Sequence, residues 1–473
     1  PVSEWFCLLD AGDQLEPGFL SDVHRYLVRH PEWKLVYTDH DLVDGRGDLT
    51  DPRFKPDWNL ELFRSMDYIG NALLVSRSAL VEAGGFGAYQ RAVHCDLVLR
   101  SHDRFGGDSI GHVADLLSHR CRLHEHKQDE LSAQQRRRAL EEHLQRCGLT
   151  ALVTDGLSAG SFMLDYQPAK LPNVSILIEA SGSMATLAGC LRSEFGKTDY
   201  PSFEVCVVVG GDAADDSRER LEKLVSSDAR LKLVPDGHCL QHADGEYLVC
   251  MKQDMVVLQS NWLQRLVQLG TREDVGAVGA RAVDHRKTVV DAGIMLGTGR
   301  DGVGVRCHQG QHMTSPGYMG RAQVAQDVSA LSGLCTLVSK SVFEAAGGYD
   351  SGLSVDLYRG IDLCQRIRRL GKRIIWTPHS TLMYLGSPNA FDGYDEGGAW
   401  CKHEADLMNQ RWLPELAADP SYNRNLSRER SDMAVEADIV PGWDPEVDTM
   451  PRVIGFGVGS YGSWQHRVKQ PLE

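Results

Sequence analysis

The chain has 473 residues, 42% of them hydrophobic and 24% charged, with a formal net charge of −15. That length suits two domains and part of a third, and the acidic balance argues against nonspecific binding to nucleic acid or to anionic membrane, both of which reward a basic surface. No apolar run approaches the ~18 residues that cross a bilayer, and the twelve cysteines stand singly, which reads as reduced thiols in a cytosolic protein rather than a disulfide framework or a structural zinc site.

In chain order, Pro1 opens on what reads as the middle of a domain. WFCLLD is a strand that ends in the acidic turn Asp10-Ala-Gly-Asp13. LVYTDHDLVD reads as a strand followed by a second acidic turn, and SALVEAGGF as a helix stopped by Gly84 and Gly85. From Asp129 to Cys147 a charged helix with a narrow apolar stripe reads as a connector. NVSILIEA then begins a new domain. Its strand, the helix SGSMATLAGCLRSEF and the strand FEVCVVVGG, with Gly210 and Gly211 at its carboxyl end, form a parallel βαβ unit. In such a sheet a ligand is expected beyond the strands' carboxyl ends. LKLVPDG and EYLVCMKQD supply further strands, and from about Pro414 to Pro451 the polar, weakly periodic sequence reads as a linker. The final stretch holds Gly457-Val-Gly459-Ser-Tyr-Gly462, which without a following helix and strand is weak evidence for a dinucleotide site.

One pattern is written twice. FCLLDAGDQLEPGFL, the GGF of Gly84–Phe86 and CDLVLR of Cys95–Arg100 are answered by YLVCMKQDMVVLQSNWL, the GGYD of Gly347–Asp350 and IDLCQRIRRLG of Ile361–Gly371. A repeat of that length implies two homologous domains. The first copy has no counterpart of the βαβ opening, so its nucleotide-binding half is expected to be missing from this sequence.

A strand ending in Asp-x-Asp can hold Mg²⁺ or Mn²⁺ against a diphosphate, the metal neutralising a departing phosphate. Copy one carries Asp10 and Asp13, one residue wider. Copy two carries Lys252-Gln-Asp254, one acid only. Lysine there either meets phosphate directly or fills the place of the metal.

The segments FCLLDAGDQLEPGFL, LVYTDHDLVD, FKPDWNLELFRSMDYIGNALLVSRSALVEAGGF and CDLVLR, and VSILI, ADGEYLVCM, VGAVGARAV, VVDAGIMLG and IDLCQRIRRLGKRIIWTPHSTL in the second copy, resemble family-two glycosyltransferases of the GT-A fold. The arrangement resembles bacterial proteins that string several such domains together to build surface polysaccharide. The resemblance implies an α/β protein of tandem GT-A (nucleotide-diphospho-sugar transferase, Rossmann-like) domains, the first incomplete at its N-terminus. The expected division is a partial domain over 1–126, a helical linker over 127–170, a second domain over 171–413, a linker over 414–450 and the start of a GT-B-like domain over 451–473. The implied partners are a nucleotide-sugar donor and a glycan acceptor, with no nucleic acid and no membrane-spanning segment. The implied cofactor is a divalent cation. The implied location is cytoplasmic or peripheral at the inner face of the membrane.

Carried over residue by residue, the family pattern makes Asp10 and Asp13 ligands of metal and sugar nucleotide, with His119 completing the metal site. Asp39, Asp254 and Lys252 join the nucleotide-sugar side, and Lys55, Asp57, Trp58 and Asp362 the acceptor side. His94 or Asp96 would receive the acceptor's proton; histidine stands where the family keeps an acid. Copy two has Lys252, Gly360 and Tyr384 at the three stations and reads as inactive. Blander readings stand beside these: His94 as a polar helix start, Asp96 and Asp362 as helix caps or salt bridges, Trp58 and Trp376 as core. A chain of two degenerate copies that bind glycan or position an active neighbour is the rival reading to a transferase.

Overall fold

The computed structural model describes residues 3–70, 72–122, 130–180, 183–209, 228–235, 237–386 and 399–436. Gly210 and Gly211, the Gly457–Gly462 motif and the expected further domain at 451–473 lie outside them. Residues Pro1–Ala434 make one compact unit and Val435–Glu473 a second.

Two sheets organise the first unit. The elements of the first are β1 (Trp5–Leu8), β2 (Gln14–Leu15), α1 (Phe19–Arg29), β3 (Leu35–Val43), β4 (Leu49–Arg53), α2 (Leu60–Ser65), β5 (Leu73–Ser76), α3 (Arg77–Glu82), α4 (Val93–Phe105) and β6 (Ile110–Cys121). Next come α5 (Glu130–Arg146) and a hairpin of β7 (Ala151–Asp155) and β8 (Phe162–Tyr166). The segment expected as a purely helical linker thus folds back on itself. Alternate residues Phe162, Leu164 and Tyr166 are buried, the period-two pattern of a strand with one face on a core.

The second sheet begins with β9 (Val174–Glu179), α6 (Met184–Lys197), β10 (Phe203–Val209) and β11 (Leu231–Pro235), whose strands pair in parallel as the βαβ reading requires. It continues through β12 (Tyr247–Lys252), β13 (Met255–Val257), α7 (Trp262–Gly270), β14 (Val275–Val283), β15 (Val289–Asp291), the small hairpin β16 (Ile294–Leu296) and β17 (Gly304–Arg306), β18 (Gln326–Asp327), β19 (Cys335–Ser339), α8 (Lys340–Ala345), α9 (Asp356–Arg369), β20 (Arg373–Tyr384) and α10 (Ala399–Ala417).

The first sheet runs β1-β5-β3-β6-β2 and the second contains β12-β19-β14-β20-β13. The directions agree strand for strand: antiparallel, antiparallel, parallel, antiparallel. Registers agree as well. Trp5 faces Ser76 as Tyr247 faces Ser339, and Gln14 faces His119 as Met255 faces Tyr384. Ser76 caps α3 through the Ala79 N–H, and Ser339 caps α8 through the Val342 N–H, both at 3.2 Å. The Gly-Gly turns that follow take positive φ at all four glycines, 88° and 76° at Gly84 and Gly85, 82° and 66° at Gly347 and Gly348, a conformation that costs a side-chain-bearing residue energy.

The boundary expected between 126 and 171 is not a break in packing. One apolar cluster contains Leu73 and Leu97 from the first sheet's side and Ile176 and Leu266 from the second's. Buried polar groups add to it. Glu61 on α2 meets Arg272 at 2.8 Å, and Asn59 exchanges two hydrogen bonds with the backbone of Asp327 at 2.8 and 3.0 Å.

The stretch from Pro414 to Ala434, expected as linker, is also packed. Tyr422, Leu426 and Met433 are buried. The Asn423 side-chain amide donates to Asp39 Oδ2 and to the Lys55 carbonyl, each at 2.8 Å. Widely spaced apolar anchors joined by Asp, Asn and Ser give no helical or strand period, yet they satisfy an irregular backbone. Among the described residues no helix is long and apolar enough to cross a membrane.

Candidate functional site

The acidic turn after β1 leaves Asp10 exposed, while the Asp13 carboxylate accepts the Cys121 N–H at 2.9 Å. His119, across the sheet from Gln14, spends both ring nitrogens on carboxylates: Nδ1 lies 2.6 Å from Asp41 and Nε2 3.1 Å from Glu16. Asp10, Asp13 and His119 are not gathered within reach of one ion. The one trio so placed among the described residues is Asp103, His143 and Cys147, and there His143 already bonds Asp103 through Nδ1 and accepts from Arg64 through Nε2. The expected three-ligand metal set is therefore not what the fold builds.

Asp39 does not lie in an acidic turn. β3 runs unbroken through it, and the side chain is fully buried, accepting from the Lys55 N–H at 2.8 Å, from His112 Nε2 at 2.9 Å and from Asn423. It is an internal anchor: β3 is buried along nearly its whole length, and its register slips beside Asp39. Lys55 is likewise buried, its ammonium donating to the carbonyls of Thr38 and Ile69 at 2.6 Å each. Burial lowers it to about 8. Asp57 accepts from His112 Nδ1 at 2.9 Å, and Trp58 packs on Phe63 and His102. Trp376 is wholly buried in the core.

Asp96 and Asp362 occupy matching places on α4 and α9 and make matching bonds. Asp96 Oδ2 meets Arg100 at 2.6 Å and Asp362 Oδ2 meets Arg366 at 2.6 Å. Each arginine also donates to the carbonyl that precedes its Gly-Gly turn, Ala83 or Ala346. Both acids tie helix to turn, which supports the salt-bridge reading over a proton-accepting one.

His94, in the first turn of α4, is different. Its Nε2 bonds the Asp67 carboxylate, and Asp67 also accepts the Gly70 N–H at 3.1 Å. Burial alone would lower the imidazole's pKa; the Asp67 charge and hydrogen bond, with a further contribution from Asp10, raise it instead. With Nε2–H given to Asp67, the neutral ring presents its lone pair at Nδ1. Asp67, in the FRSMDYIGN segment, was not singled out from sequence, since a lone acid between two elements carries no spacing signal.

Both residues line a cavity of about 270 Å³. Its wall includes Arg53 of β4, Arg91, Arg120 of β6 and Arg136 of α5, together with Met319 from the second sheet's side. Arginines drawn from three elements and a loop leave no motif in the chain.

The matching place in the second sheet is closed. Lys252 Nζ lies 2.9 Å from Glu179 and 2.7 Å from Asp356, and Arg359 lies 3.2 Å from Glu179. The adjoining cavity measures about 30 Å³, room for about one water. At Gly360, the counterpart of His94, an added Cβ would stand 2.3 Å from the Leu331 carbonyl oxygen. Asp254 lies against Gly386 and does not line that cavity.

Residues 175–347 match the model of glycosyl transferase family 2. This segment belongs to that family. Over 458 residues the chain is 30% identical to "Uncharacterized protein y4gI" of Sinorhizobium fredii (strain NBRC 101917 / NGR234), covering 93% of this chain and 50% of the relative. Over 488 residues it is 29% identical to "O-antigen biosynthesis protein RfbC" of Myxococcus xanthus, covering 98% of this chain and 37% of the relative. The chain thus spans half or less of the curated relatives it matches. Among solved structures, one of GalNAc-T7 with UDP, GalNAc and Mn²⁺ aligns with a TM-score of 0.42 at 15% identity, covering 54% of this chain and 50% of that one.

Proposed function

We propose that the chain is part of a nucleotide-sugar-dependent glycosyltransferase that builds cell-surface polysaccharide. In this reading the two sheets are duplicated GT-A units, the first holding the acceptor site and the second a degenerate copy that supports it. The observation that carries the reading is the His94–Asp67 pair in the cavity beside a sheet whose strand path repeats that of the second sheet, which holds most of the family-2 segment. The relative described as an O-antigen biosynthesis protein supports the polysaccharide assignment.

The acceptor hydroxyl oxygen attacks the anomeric carbon of the donor and the carbon–oxygen bond to the diphosphate breaks. The nucleoside diphosphate leaves with the electron pair, and His94 Nδ1 takes the acceptor's proton. Asp67 positions the ring and stabilises the imidazolium as it forms, the role an acid plays beside a catalytic histidine in other enzymes. Configuration at the anomeric carbon inverts, because one displacement occurs. A divalent cation belongs to the family pattern, but Asp10, Asp13 and His119 do not assemble a site for it.

Degeneracy of the second copy is supported by the Lys252–Glu179–Asp356–Arg359 network, which satisfies internally the charges a donor would meet, and by the backbone that fills the space over Gly360. The test is incubation of the intact protein of which this chain is part with a panel of sugar nucleotides and glycan acceptors, with Mn²⁺ and Mg²⁺ supplied. Transfer that is lost in His94→Asn supports the reading. Glycan binding with no donor binding and no turnover defeats it in favour of a non-catalytic module.

A further inference from the structure

The chain is acidic overall, yet the cavity that holds His94 and Asp67 is lined by arginine. Arg53 has an acidic partner, Asp51, at 2.8 Å. Among the described residues Arg136 forms no ion pair: its terminal nitrogens donate to the neutral carbonyls of Gly160 and Phe63, at 2.9 and 3.3 Å, although Asp67 is near enough to feel its charge. The Nε atoms of Arg120 and Arg136 are buried without a hydrogen-bond partner among the described residues. The acid on the wall, Asp67, is engaged by His94 and the Gly70 N–H. His40, on the same wall, is held well below the usual imidazole range by burial first and then by Lys55, Arg120 and Arg53.

A guanidinium left partly unpaired in a cavity loses hydration without recovering it from protein. An oxyanion is the ligand that restores the balance, because the planar fork of arginine matches carboxylate and phosphate oxygens two at a time. The cavity also holds the ring nitrogen that would take a proton from the attacking hydroxyl, so an anionic group bound by arginine would sit on the same molecule as that hydroxyl.

We propose that the acceptor sugar is anionic, a uronic acid or a phosphorylated sugar whose oxyanion is held by Arg120 and Arg136 while its hydroxyl faces His94. This rests on the transferase reading above.

Calorimetry on the full chain with glucuronate, glucose 6-phosphate, glucose and inorganic phosphate tests it. One or both anionic sugars are expected to bind at least tenfold more tightly than glucose, with affinity falling as salt is raised. The tighter of the two identifies the source of the oxyanion. Arg120→Gln is expected to weaken that binding at least tenfold and Arg120→Lys by less. Arg91→Gln, at the exposed mouth, repeats the comparison should Arg120→Gln fail to fold. Equal binding of glucose, or phosphate alone binding as tightly as both anionic sugars, overturns the proposal. Anion binding without any sugar-nucleotide turnover defeats the transferase reading and leaves the ligand class of the cavity standing. Turnover onto neutral sugars without anion binding does the reverse.

Discussion

The Tyr318 hydroxyl accepts the Phe54 N–H at 2.7 Å and donates to the Pro52 carbonyl at 3.0 Å. A loop from the second sheet's side is thereby fixed to the edge of the first, and the next residue, Met319, forms part of the arginine-lined cavity. The second sheet's side therefore helps to shape the cavity beside the first sheet. Tyr318→Phe is expected to lower stability by about 1–2 kcal/mol, since the part-buried Phe54 N–H loses its partner. Chemical denaturation measures this. Met319→Ala is expected to raise the acceptor KM by more than it lowers kcat, because the methionine walls the cavity and carries no group that exchanges a proton.

His94→Asn is expected to lower transfer per folded molecule by roughly 10²–10⁴-fold, the usual worth of a general base, and to lower the melting temperature as well, because the Asp67 carboxylate loses its partner. The pH profile gives the sign. The base must be neutral to act, and its pKa is raised, so kcat/KM climbs with pH along a limb displaced above the ordinary imidazole range. Asp67→Asn removes the raising charge and leaves burial in control. The limb then moves to lower pH while the maximal rate falls. A limb that stays in place would show that His94 is not the titrating group.

A second histidine links stability to pH. His112 is buried between Asp39 and Asp57 and raised to about 9, against burial, by those two carboxylates. A folded pKa above the unfolded value of 6.5 means stabilisation that is complete below pH 6.5 and lost as pH rises toward 9. The loss amounts to about 3 kcal/mol at most. His94 acts in the same sense. Denaturation of wild type at pH 6 and pH 9 is expected to show the decline, and His112→Gln to flatten it.

Gly360→Ala should destabilise although it lies inside helix α9. Glycine to alanine within a helix ordinarily gains up to about 1 kcal/mol. Here the new methyl meets the Leu331 carbonyl oxygen at 2.3 Å, and a loss of about 1–3 kcal/mol is expected from overpacking. A gain measured by thermal melting would mean that the backbone over this position yields.

Asp96→Asn separates structure from chemistry. Breaking the pair with Arg100 is expected to cost about 3 kcal/mol, in the manner of a buried ion pair that loses one partner. Transfer per folded molecule should persist at low temperature. Asp362→Asn should behave alike in stability, since Arg411 and Trp412 also bond that carboxylate, at 2.7 and 3.0 Å.

Local pattern alone determined the α/β class, the βαβ opening at Val174, the stops at Gly84 and Gly347 and the equivalence of Trp5–Leu15 with Tyr247–Val257. Each rests on periodicity or on a backbone need that neighbouring residues express. The surroundings of Asp39 left no signal in the sequence, because its partners Lys55, His112 and Asn423 lie on other segments and the polar run Thr-Asp-His-Asp does not announce a strand buried along nearly its whole length. The polar stretch after Pro414 was misread for a similar reason: its partners are backbone groups hundreds of residues away, and such bonds leave no period. Tertiary structure alone decided that Asp67 would lie against His94, that Arg53, Arg91, Arg120 and Arg136 would share one cavity, and that Met319 would help to close it. Charge convergence of that kind depends on which strands lie side by side, and strand order is set by long-range pairing rather than by any residue's neighbours in sequence.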